Sequence, residues 1–74
     1  MAESLTDRVA AEVRAEMARR RMTQRQLAEI MGISQPQVMQ RLTGKLGFRL
    51  SELEHLAKAL DVPVARFLPA DVTS

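Results

Sequence analysis

Two capping boxes eleven residues apart constrain this chain more than any other feature of it. Thr23 is followed three positions later by Gln26, and Ser34 three positions later by Gln37. In each pair the hydroxyl accepts an orphan amide at a helix start while the glutamine reaches back to the amide of the cap. Two short helices must begin at these points. In the first, Leu27, Ala28 and Met31 share one face, and Gly32 follows as the residue best able to take positive φ and stop the helix. Ile33 then returns to the core and Ser34 opens the second helix, where Val38 and Leu42 point inward before Gly44 ends it. The outward face is left with Gln35, Pro36, Gln37, Gln40 and Arg41. Amides and a guanidinium without a carboxylate suit the donor and acceptor edges of a major groove.

At 74 residues the chain is expected to form a single domain spanning 1–74, near the lower size at which a core stabilises itself unaided. It has no cysteine and one histidine, His55, so neither a disulfide framework nor a metal centre is expected, and no cofactor is implied. No apolar run approaches the ~20 residues that cross a bilayer. The opening MAESLTD lacks the basic start and apolar centre of a signal peptide, so a soluble, cytoplasmic protein is expected. The net charge of +2 conceals an uneven distribution: residues 19–49 hold seven basic side chains against Glu29 alone, while each flank holds two basic and four acidic ones. One basic face on an otherwise acidic body is expected of a domain that docks on a polyanion with one side.

The coarse periodicity predicts an all-α fold of five helices. The first runs from about Leu5 to Arg20, with Leu5, Val9, Val13 and Met17 as its apolar stripe. The second and third form the capped pair, a helix-turn-helix core over 23–44. A loop through Lys45, Leu46, Gly47 and Phe48 leads to a fourth near Leu50 to Leu60, stopped at Asp61. Pro63, as a first-turn proline, opens a short fifth helix carrying Val64, Phe67 and Leu68, and a polar tail occupies 69–74.

From Val9 to Leu68, the segments TQRQLAEIMGIS, QVMQRLTGK and LSELEHLAKALDVPVARFL, at their intervals, make the chain resemble the lambda-repressor-like family, the Cro and repressor type of helix-turn-helix protein. That resemblance implies a compact five-helix bundle and a sequence-specific regulator, most often a repressor, that binds double-stranded DNA. It places Gln35 where relatives read a base, with Gln37 and Gln40 beside it. It also sets Pro36 at a reading position where proline offers only apolar contact. Gln24 is implied at a backbone phosphate, flanked by Thr23 and Arg25; Arg41, Thr43, Lys45 and Arg49 are the further backbone candidates. Val64, Phe67 and Leu68 are implied at a two-fold interface, because so small a bundle is not expected to bury all of them. A homodimer would then meet an inverted repeat with half-sites about one DNA turn, ~34 Å, apart.

The chain departs from the family where relatives pair an arginine on the first helix with a glutamate ending the third. Here Met17 and Leu42 take those places and are expected to touch, since packed hydrophobes replace a buried ion pair at little cost. Glu16 and Arg41 stand where relatives have aliphatics and are expected to turn outward and pair. The run Arg19, Arg20, Arg21 fits phosphate contact and helix C-terminal capping equally well. Met39 falls off the apolar stripes, free to meet a partner or a base edge. An enzyme is not expected, for the outward face lacks a nucleophile with a base, a carboxylate pair or a glycine-rich phosphate loop. The alternative is an antitoxin or co-regulator whose main partner is another protein.

Overall fold

A computed structural model describes residues 4–69, and local chemistry accounts for most of its element boundaries. Helix α1 spans Leu5–Arg20; Ser4 caps it by accepting the Asp7 amide, and Arg21 closes it in the left-handed conformation. Helix α2 spans Gln24–Met31 and helix α3 spans Gln35–Leu42, each with its capping box formed as the spacing predicts. Between them Gly32 takes φ 69° and ψ 32°, turning the chain without the penalty a Cβ would bring. Helix α4 spans Leu50–Leu60, and Asp61 ends it at φ 57°. The described residues contain no strand. The tail residues 70–74 lie outside the described residues.

The fifth helix is shorter than its sequence suggested. Val64–Phe67 forms one 3-10 turn, with Pro63 before it in extended geometry, at the cap rather than in the first turn. Pro63 and Pro69 bracket only five residues, too few for the cooperative nucleus of an α-helix. A tighter 3-10 turn satisfies what backbone bonds it can, from the Arg66 amide to Pro63 and the Leu68 amide to Ala65.

The core collects Val9, Val13 and Met17 of α1, Leu27 and Ala28 of α2, Val38 and Leu42 of α3, and Leu53, Leu56 and Ala57 of α4 around Phe67. Phe67 has no exposed surface and is the largest side chain so enclosed. It therefore cannot serve at a dimer interface in this conformation, and that expectation is corrected: the ring reaches the core first, leaving Val64 and Leu68 half-buried above it. Met17 and Leu42 join the same cluster, and Arg14 Nη1 donates to the Leu42 carbonyl, fastening α1 to the end of α3. His55 is exposed, and its Nε2 lies 2.8 Å from the Ile30 carbonyl, linking α4 to α2.

Glu16 and Arg41 neither turn outward nor pair. They are 3% and 6% exposed, and each has found a different partner. Glu16 gathers Arg19 and Arg20 from its own helix and Arg66 from the 3-10 turn. Arg41 crosses to Glu52 in the first turn of α4. Once buried, each charge requires an ionic partner within reach, and these were nearer than one another.

Candidate nucleic-acid interface

The helix-turn-helix presents α3 through its own capping chemistry. Ser34 Oγ accepts the Gln37 amide at 3.3 Å, and Gln37 Oε1 accepts the Ser34 amide at 2.9 Å. Val38, Arg41 and Leu42 turn inward, so Gln35, Pro36, Met39 and Gln40 form the exposed ridge. Met39 is 53% exposed and stands one turn after Gln35 on that ridge. It was discernible in the sequence only as a residue off the apolar stripe. Its thioether now adds an apolar, deformable contact beside two amides.

Hydrogen-bond arithmetic divides the candidate base readers. A glutamine pairs bidentately with adenine by accepting at Oε1 and donating from Nε2. Gln35 and Gln40 have both atoms available on exposed side chains. Gln37 does not, because its Oε1 already closes the capping box and also receives the Ser34 hydroxyl at 3.2 Å. Its Nε2 still donates, which suits an acceptor edge but not a bidentate adenine contact. The capping role and the reading role compete for one oxygen.

The backbone candidates separate in the same way. Gln24 and Arg25 open α2, exposed, with amides that precede the first intrahelical bond, from the Leu27 amide to the Thr23 carbonyl at 3.0 Å. Such free amides at the positive end of a helix favour a phosphate. Thr23 accepts the Gln26 amide at 3.1 Å and so keeps its hydroxyl proton for an anion. Arg25 meets Glu29 only at 3.7 Å, with both side chains more than two-thirds exposed, a pairing that water and salt readily loosen. Lys45 and Arg49 are exposed in the segment between α3 and α4. Thr43 is exposed too, but its hydroxyl donates to the Met39 carbonyl at 2.9 Å, so it offers a phosphate no proton unless that bond breaks.

Arg41 is the backbone candidate that the structure removes from the surface. Its guanidinium donates to Glu52 through Nε at 3.0 and 3.1 Å and to the Gln37 carbonyl through Nη1 at 3.1 Å. Glu52 was absent from the sequence reasoning; the only signal for it was its place as the third residue of α4, where a carboxylate caps. Burial alone would push the Glu52 carboxyl up, but the bonds from Arg41 and the Arg49 amide hold it below the usual carboxylate range. Arg19 and Arg20 are likewise engaged, by the Glu16 carboxylate one turn back, a pairing that is neither the phosphate contact nor the capping of their own helix expected of that run. Arg21, Arg25, Lys45 and Arg49 are exposed around the helix-turn-helix, and Arg19 and Arg20, although paired with Glu16, are exposed as well.

Among the described residues no cluster of three metal-ligating side chains occurs, and no helix is long and apolar enough to cross a membrane. No curated protein and no solved structure matches the chain significantly. A family model does match, over residues 12–68, which takes in most of α1, the whole capped pair, α4 and the 3-10 turn with Phe67. With its exposed amide ridge on a doubly capped helix-turn-helix, the chain belongs to the family of Cro/C1-type HTH DNA-binding domains.

Proposed function

We propose that the protein is a sequence-specific transcriptional repressor that inserts α3 into the major groove of an inverted-repeat operator as a homodimer. The observation that carries this reading is the ridge of α3, where Gln35 and Gln40 hold complete, unengaged carboxamides on either side of Met39. Pro36 and Met39 supply apolar contact to a thymine methyl, and Gln37 adds a donor. Thr23, Gln24, Arg25, Lys45 and Arg49 hold the sugar-phosphate backbone and set the register without specifying sequence. Self-association uses Val64 and Leu68, which remain half-buried on one protomer, while Phe67 stays within the core.

Selection from a genomic library on immobilised protein, then titration of the winning duplex against a scrambled one at about 150 mM salt, tests the reading. A palindromic duplex bound at least ~10³-fold more tightly supports it, and equal weak binding to both duplexes refutes it. Two substitutions then separate the roles. Gln35→Ala is expected to reduce discrimination about tenfold at one base position in each half-site, leaving the other positions unchanged. Lys45→Ala should weaken every duplex alike and lower the salt slope by ~0.9 per protomer, seen by repeating the titration across salt concentrations. Identical effects on every sequence from both changes would contradict the division into readers and clamps.

A further inference from the structure

We propose that Arg41 and Glu52 form a positioning bridge that sets the rotation of α3 about its own axis, a role that rests on the DNA reading assigned above to Gln35 and Gln40. Helix α3 has only eight residues, and its apolar anchors are Val38 and Leu42 on one face. Two aliphatics keep a helix against a core, but hydrophobic burial is non-directional and specifies little about rotation. Arg14 ties only the last carbonyl of α3, at Leu42, and the Arg41 fork supplies direction within the helix itself. Nε lies 3.0 and 3.1 Å from the two Glu52 oxygens, and Nη2 lies 2.9 Å from Oε2. Nη1 turns back to the Gln37 carbonyl at 3.1 Å, so the planar group is fixed to α3 itself as well as to α4.

The same carboxylate reaches the backbone clamp. Glu52 Oε1 accepts the Arg49 amide at 2.9 Å, closing the start of α4. Through one part-buried anion the reading helix and the residue proposed to grip a phosphate therefore hold a common frame. Arg41 directly follows Gln40, and neighbouring helical residues point about 100° apart. Fixing Arg41 inward thus fixes Gln40 outward. The Arg41 and Glu52 side chains are only 7% and 17% exposed, which keeps the bridge away from competing phosphates.

The test uses the full chain carrying Arg41→Met and Glu52→Gln together. Glutamine keeps the acceptor for the Arg49 amide, and removing both charges leaves neither stranded, so the fold is expected to persist. Two readouts are taken: residual dipolar couplings of backbone amides in the free protein, and the affinity ratio between the selected and scrambled duplexes. The expected result is that α3 couplings change while those of α1 and α4 stay, and that the affinity ratio falls at least ~10-fold, the worth of one bidentate contact. Arg41→Lys, which keeps the charge but not the fork, should show the same change in weaker form. Unchanged α3 couplings overturn the proposal, whether or not the ratio falls. If the unmodified protein prefers no duplex, the operator reading fails by itself, and the couplings still decide whether the bridge orients α3.

Discussion

Replacing Phe67 with alanine is expected to cost about 3–5 kcal/mol, close to the whole stability of a domain this small. The ring is completely enclosed and is the largest such side chain in the core. It hangs from a four-residue 3-10 turn, so little backbone structure remains to hold that end of the bundle once it is gone. Neighbouring helices cannot collapse fully into the space, because α1 is also held against α3 and α4 against α2 within the same cluster. Urea unfolding followed by helical circular dichroism should show a midpoint shifted to low denaturant with little change in slope. Phe67→Leu retains most of the volume and should lose far less. An unchanged midpoint accompanied by weaker self-association would instead put the ring at an interface between protomers.

That contrast marks where the sequence was informative. The boundaries of α2 and α3 were legible because a capping box is local: Thr23 with Gln26, and Ser34 with Gln37, decide their helix starts within four residues. Phe67 was not legible in the same way. The apolar trio of Val64, Phe67 and Leu68 exceeded what a small bundle was expected to bury, and nothing local says which member goes inside. The charged pairs failed for a related reason. Arg41 bonds Glu52 eleven residues along the chain and Glu16 bonds Arg66 fifty residues along it, although the Glu16 bonds to Arg19 and Arg20 lie within one turn and were open to a local reading. Competition for Gln37 Oε1 was implicit in the sequence, since the cap and the base reader were the same residue. Its consequence became visible only when the bond to the Ser34 amide was in place. For the candidate interface, residue types and spacing located the helix, while the engagement of each donor and acceptor selected among its side chains.

Acidification should expose how much the bundle depends on Glu16. Its carboxylate accepts Arg20 Nε at 2.7 Å, Arg19 Nη2 at 2.7 Å and Arg66 Nη1 at 3.2 Å, joining the end of α1 to the 3-10 turn that carries Phe67. The bonds from Arg20 and then Arg19 lower its pKa from 4.5 to about 2, against burial, which opposes the charge. A group with a depressed folded-state pKa stabilises the fold above its unfolded value and loses that contribution as pH falls through the folded one. Stability should therefore hold above pH 4.5 and decline toward pH 2. The three arginine side chains are 54%, 36% and 44% exposed, so water screens part of the attraction. A loss of about 2 kcal/mol is expected after that discount. Glu16→Gln should remove most of this loss beforehand, being less stable at neutral pH and flatter in its decline between pH 4.5 and 2. Urea midpoints measured across that interval for both proteins check the assignment. Parallel curves would mean that other carboxylates carry the acid sensitivity and that the cost of burying Glu16 cancels the attraction of its three arginines. Converging curves would make this one anion the tie between α1 and the turn that fills the core.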